Sequence, residues 1–264
     1  MKTFSTRHPI LFQVVLFIAA IFLVVFFTIL FQVVFPLEEK TEDVVGTAIG
    51  RLLAGGLLFL VFIRSFKLKR QFSGFVVMLP ALLFAAWNLF RYFLTKGGSV
   101  DNYVYAIVLG LAPAVFEEVL FRGIFIRNLK ASGKKPLSIL LISALFFGLV
   151  HVTNFSLSVI NMSIQVGSAI VGGLVFGAIY IKTEDLVSII IAHAAIDICD
   201  EMFPVGGLVL PGVELTGFLI LLAVDMVRLL ADVEVSPSAG GASRCGCPES
   251  RVPLIRAVAA FSQG

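Results

Sequence analysis

The sequence predicts an all-α fold, a polytopic membrane helix bundle of about eight transmembrane helices with both termini cytoplasmic. Composition is the first observation behind that prediction. Of 264 residues, 59% are hydrophobic and 14% charged, where soluble domains average roughly 45–50% and about 25%. The mean hydropathy is +1.03. The second observation is the length of the apolar runs, which reach the roughly 20 residues that a helix needs to cross a bilayer. They are continuous and lack the period-two alternation that marks the strands of a membrane barrel. The third is the placement of Lys and Arg, which gather in alternate links between the runs.

The first run, 9–35, is far longer than the apolar core of a signal peptide and no small-residue cleavage site follows it, so it reads as an anchor. The second is expected at 45–63, the third at 72–94 and the fourth at 103–129. The fifth follows at 136–154, the sixth at 163–181, the seventh at 186–203 and the eighth at about 207–230. The 64–70 link holds Arg64, Lys67, Lys69 and Arg70, and the 127–135 link holds Arg127, Lys130, Lys134 and Lys135. The alternate links are acidic or nearly neutral, such as LEEKTED at 37–43. Cytoplasmic loops are enriched in Lys and Arg, so this asymmetry puts the basic links and both termini in the cytoplasm. In the sixth run Gly173 and Gly177 form a GxxxG, with Ser168 and Gly172 as a second small pair. Such spacing lets helix backbones approach closely. Trp87, Arg91 and Tyr92 suit an interfacial anchor, and the helically spaced phenylalanines suit lipid-facing or core positions.

Beyond the last run the composition changes. Residues 236–250, SPSAGGASRCGCPES, are small and polar, and a weakly apolar end follows. This divides the chain into a transmembrane bundle at 1–230, with a motif core at 103–203, and a low-complexity, disordered cytoplasmic tail at 231–264. The three cysteines form neither a disulfide framework nor a zinc pattern. A net charge of +3 is too small to suggest nucleic acid as a partner. No internal repeat stands out, which counts against an inverted-repeat transporter.

The fourth run contains FEEVLFRG at 116–123, which sets Glu117, Glu118 and Arg122 at membrane depth. A charge near the bilayer centre costs ~2.5–3.5 kcal/mol on insertion scales, so such residues mark a site by default. On a helix turning ~100° per residue, Glu118 and Arg122 share a face and can pair. Glu117, ~100° round, is out of register with Arg122 and points elsewhere, as a desolvated carboxylate suited to general-base work. Pro113 is expected to kink the helix and open room for water. Two later runs carry matching polar groups: FGLVH, with Phe147 and His151 on one face, and HAAID, with His193 and Asp197 on one face. At ~1.5 Å per residue, Glu117 lies ~15 Å from the cytoplasmic end of its run, His151 ~22 Å, His193 ~12 Å and Asp197 ~18 Å. All fall within a ~30 Å slab. Each feature alone has a bland explanation: an ion pair that fixes packing, a core histidine, a local His–Asp hydrogen bond. Three such features at shared depth point to one catalytic cavity. His8, in the basic N-terminal tail, reads as solvated.

EEVLFR, FGLVH and HAAID match, in order and spacing, the EExxxR, FxxxH and Hxxx(N/D) motifs of the CPBP intramembrane proteases. This is the CAAX-prenyl-protease and bacteriocin-processing group, also called the Abi family, and the resemblance covers roughly 103–203. It implies a glutamate-type endopeptidase that uses no metal and no cofactor. Glu117 and His151 would hold and activate a water, and His193 and Asp197 would stabilise the oxyanion. Glu118, Arg122 and Phe147 would support them. The prenyl-protease branch has Asn where this chain has Asp197, and Asp occurs in bacterial branches. An ionised carboxylate cannot donate to an oxyanion, so Asp197 must be protonated or act in another way. The implied substrate is a peptide or protein, either a prenylated CAAX protein or a bacterial peptide such as a bacteriocin precursor. The expected setting is the lipid bilayer of a bacterial cell membrane.

Two other classes use the same residues. A zinc protease could draw on His151, His193 and a carboxylate, although HExxH is absent. A non-catalytic membrane scaffold or immunity protein, or a proton-coupled transporter, would use the buried polar groups to clasp a partner or relay protons. Glu117→Gln separates these from the enzyme.

Overall fold

A bilayer offers no partner to backbone N–H and C=O groups, so long apolar runs must satisfy them internally as helices. The computed structural model describes residues 4–36, 39–62, 103–153 and 158–202, and among them every regular element is helical. These residues all lie in one unit, Met1–Glu234; the second unit, Val235–Gly264, falls wholly outside the described residues.

A single helical turn, Phe4–Arg7, precedes α1 (Pro9–Val34), which opens on a proline whose missing N–H costs nothing there. Helix α2 spans Glu39–Phe62. Helix α3 runs Tyr103–Ala131 and is α-helical over Tyr103–Glu118, π-helical over Val119–Ile126 and α-helical again over Arg127–Ala131. Helix α4 (Pro136–Leu149) tightens into a 3-10 turn at Val150–Thr153. Helix α5 (Val159–Thr183) starts at Ser158, whose side chain accepts the Asn161 N–H. Helix α6 (Leu186–Met202) follows a turn in which Glu184 adopts φ 55° and Asp185 accepts from both the N–H and the hydroxyl of Ser188.

Helices α1, α3 and α5, with Val44–Phe62 of α2, are long and apolar enough to cross a membrane. Pro136–Val152 and Leu186–Cys199 are shorter apolar helices. The protein is an integral membrane protein. The runs expected at 72–94 and about 207–230 lie outside the described residues, as do the 64–70 link, Trp87, Arg91, Tyr92 and the 231–264 tail. The Pro113 ring sits inside the continuous helix, and the irregularity comes later, at Val119, as a widened turn.

Helix α1 packs on α2, α2 on α3, α3 on α6, and α4 on α5. The π segment is buried along its whole length and meets α2, α4, α5 and α6. Two glycines set the spacing that matters for the site. A Cβ at Gly110 would run into the backbone N and Cα of Ile198, so α3 and α6 touch backbone to backbone. A Cβ at Gly173 would lie 3.0 Å from Ala144 Cα, so α5 also presses close on α4. The second small pair expected at Ser168 and Gly172 does not extend this contact. A Cβ at Gly172 would meet nothing, because that position lies ~100° round the helix from Gly173.

Candidate active site

A π turn takes in an extra residue and disturbs the carbonyl ladder on one side. In α3 two carbonyls of this segment are met by side chains from other helices. Ser143 of α4 donates its hydroxyl to Phe121 O at 3.4 Å, and Gln13 of α1 reaches Phe125 O with Nε2 at 3.5 Å. Gln13 Nε2 also donates to Asn128 Oδ1 at 3.0 Å. Gln13 is fully buried, a polar side chain that α1 turns inward from its lipid-facing surface.

Glu118 is the last residue before the widened turn and Arg122 lies within it. Arg122 Nη1 donates to Glu118 Oε1 at 2.8 Å, the pairing their spacing predicts, and the two side chains are 1% and 0% exposed. The same carboxylate oxygen lies 2.8 Å from His193 Nδ1. At the far edge of that imidazole, Nε2 lies 3.4 Å from Asp197 Oδ2 and 4.0 Å from Glu117 Oε2. Three carboxylates therefore surround one ring. Glu117 does not point away from this cluster, as helical register alone suggests. Helix α6 packs at the edge between positions 117 and 118, so the two glutamates straddle His193. Being a full step apart on α3 puts them on either side of the facing helix rather than in separate places.

Two phenylalanine rings cover the charged groups. Phe147 lies 4.3 Å from Arg122 Cζ, and Phe176 lies 5.6 Å from it. The Phe147 ring is 5.9 Å from the His193 ring and 5.6 Å from the His151 ring, and Phe176 is 5.6 Å from His193. Arg122 Nε and Nη2 and Glu118 Oε2 have no hydrogen-bond partner among the described residues. Ring faces take up part of what the guanidinium lacks, since a desolvated cation–π contact contributes about 2 kcal/mol.

His151 is not on an α-helix continuing to 154; it sits on the 3-10 turn that ends α4. Its Nδ1 is 3.0 Å from Phe147 O. A carbonyl oxygen only accepts, so Nδ1 is the donor, which in a neutral imidazole leaves the lone pair on Nε2. Among the described residues no hydrogen bond or ion pair joins His151 to Glu117, and Phe147 is the shared neighbour that ties His151 to the rest. No group of three or more His, Cys, Asp or Glu side chains among the described residues is arranged to hold a metal ion.

All seven expected residues thus gather where α3, α4 and α6 meet, with His151 linked through Phe147. Reading the sequence missed Phe176, Ser143 and Gln13. Nothing distinguishes Phe176 among the 26 phenylalanines of the chain. Gln13 did carry a signal, an amide inside an apolar run.

Residues 99–199 match the family model described as type II CAAX prenyl endopeptidase Rce1-like. This segment is a CPBP-family domain of the CAAX-protease type. The match takes in every site residue from Glu117 to Asp197 and leaves α1 and α2 outside. Comparison with curated proteins and with solved structures returned no match. The Rce1-like segment begins just before α3 and ends within α6, so the family core coincides with the helices that build the cluster.

Proposed function

We propose that this chain is an intramembrane endopeptidase of the glutamate type, hydrolysing a peptide bond with a water activated by Glu117 and His151. The observation that carries the reading is the convergence of Glu117, Glu118 and Asp197 on His193, with His151, its Nδ1 at Phe147 O, against the same Phe147 ring. Glu117 is buried and lies off the Arg122 contact, which leaves its carboxylate available for this role.

In the proposed reaction the water gives a proton to the Glu117 carboxylate, assisted by His151 Nε2, as its oxygen adds to the scissile carbonyl carbon. The carbonyl electrons move to oxygen, and the oxyanion accepts a hydrogen bond from His193 Nε2–H. Collapse of the tetrahedral adduct breaks the C–N bond, and the proton held at Glu117 passes to the leaving amine. His193 already directs Nδ1 at Glu118, so it can donate from Nε2 as well only as an imidazolium. Three carboxylates supply the counter-charge. Asp197 then acts on His193 and not on the oxyanion, which accommodates an ionised Asp at that position. Arg122 and Phe147 hold Glu118 in place.

The substrate in this proposal is a peptide or protein, either a prenylated CAAX protein, in keeping with the family's description, or a bacterial peptide such as a bacteriocin precursor. The setting is a bacterial cell membrane with the basic 127–135 link and both termini on the cytoplasmic side. The test uses purified protein in detergent or liposomes, given prenylated and unprenylated peptides with and without chelator. Chelator-resistant cleavage that is lost in Glu117→Gln and in His151→Ala is the expected result. Cleavage surviving Glu117→Gln would sink the mechanism. Biological function that persists in Glu117→Gln would move the reading to a scaffold or immunity protein.

A further inference from the structure

The geometry points to Phe176 as a positioning residue that fixes the plane of the His193 imidazole between its carboxylates. Phe176 belongs to none of the three motifs, and α5 carries no histidine or glutamate of the site. Hydrogen bonding at Nδ1 fixes one point on the edge of the imidazole, and a partner near Nε2 fixes another, but the ring can still tilt about the line joining them. Phe176 limits that tilt. Its buried ring lies 5.6 Å from the His193 ring at an interplanar angle of 31°. Phe147 meets the same imidazole at 5.9 Å and 57°. Phe176 also lies 5.6 Å from Arg122 Cζ, so one ring bears on both groups that contact Glu118.

The glycines flanking Phe176 set how deeply it inserts. A Cβ at Gly173 would lie 3.0 Å from Ala144 Cα and 3.3 Å from Phe147 Cδ1, and one at Gly177 would lie 2.8 Å from Leu140 Cδ1. The GxxxG spacing that reads as helix packing thereby also brings the ring onto the site.

The kinetic consequence rests on the proteolytic reading, whereas the effect on the imidazole does not. The experiment uses the full chain in detergent as wild type, Phe176→Leu and Phe176→Tyr, with thermal unfolding measured for each. The chain has three histidines, so side-chain 15N spectra of histidine-labelled protein are assigned with His8→Gln and His151→Gln. Phe176→Leu should remain folded at the assay temperature and move the His193 ring signals while leaving His8 unchanged. It should lower kcat on the order of tenfold, with KM unchanged, as expected for loss of one aromatic contact. Phe176→Tyr should restore the His193 signals and kcat. Unmoved His193 signals in Phe176→Leu overturn the proposal, as does a loss in kcat that follows unfolding temperature across both variants. If wild type cleaves no peptide, the proteolytic reading fails and the spectra alone decide the role of Phe176.

Discussion

Arg122→Met removes a guanidinium that is 1% exposed, bonded to Glu118 at 2.8 Å and covered by Phe147 at 4.3 Å. Removing one partner of a buried pair costs ~3–5 kcal/mol, because the other charge is left stranded. Loss of the cation–π contact adds about 2 kcal/mol. Against this, Nε and Nη2 are buried without hydrogen-bond partners, and their removal relieves ~1–3 kcal/mol each. His193 also stays bonded to Glu118 and keeps it partly compensated. The expected net loss is therefore about 2 kcal/mol, the desolvation relief offsetting the aromatic term and part of the pair term. Adding Glu118→Gln removes the stranded charge and keeps the shape, so the double variant should recover ~1–2 kcal/mol relative to Arg122→Met. The assay is reversible unfolding in mixed micelles with increasing sodium dodecyl sulfate, followed by far-ultraviolet circular dichroism over the four members of the cycle. Additivity of the two single substitutions within ~0.5 kcal/mol would refute the view that they form one charged unit.

Gly110→Ala places a methyl against the backbone of Ile198, next to Asp197, and should destabilise by ~1–3 kcal/mol in the same assay. Cleavage should fall with it as α6 moves; a variant as stable and active as wild type would contradict the close α3–α6 contact. Gln13→Leu loses two hydrogen bonds, one of them long, but also removes an unpartnered buried Oε1. It should change stability by less than ~1 kcal/mol, while Gln13→Ala opens a cavity and should cost ~2–3 kcal/mol; equal effects of the two would show that the amide itself is what counts. For the oxyanion assignment, His193→Gln should lower kcat by ~10²–10³-fold, as loss of an oxyanion donor does. Asp197→Ala, which leaves His193 in place, should lower it on the order of tenfold. A larger loss at Asp197 than at His193, read from kcat on the best-cleaved peptide, would reverse their roles.

Membrane class and the helices among the described residues were legible in the sequence, and the candidate residues were nominated there, because each depends on local quantities. Hydropathy over about 20 residues marks a span, and a charge inside one is costly wherever the span ends up. The i,i+4 relation also predicts two of the observed contacts, Glu118 with Arg122 and His193 with Asp197, since both lie within single helices. The motif resemblance reached the same residues, and the family match at 99–199 covers them.

Tertiary structure decided what lies between helices. Glu118 and His193 are 75 positions apart, and their contact follows from α3 and α6 meeting where Gly110 has no side chain. Register on a lone helix separated Glu117 from Glu118, but a facing helix brought both to one imidazole. The π turn that carries Arg122 is tied to other helices through donors from Ser143 and Gln13, remote in sequence. Phe176 looks like any other apolar residue until Gly173 lets α5 approach α4. Periodicity reports which way a side chain leaves its own helix. What it meets there depends on how closely, and at which residues, the backbones of different helices can pack.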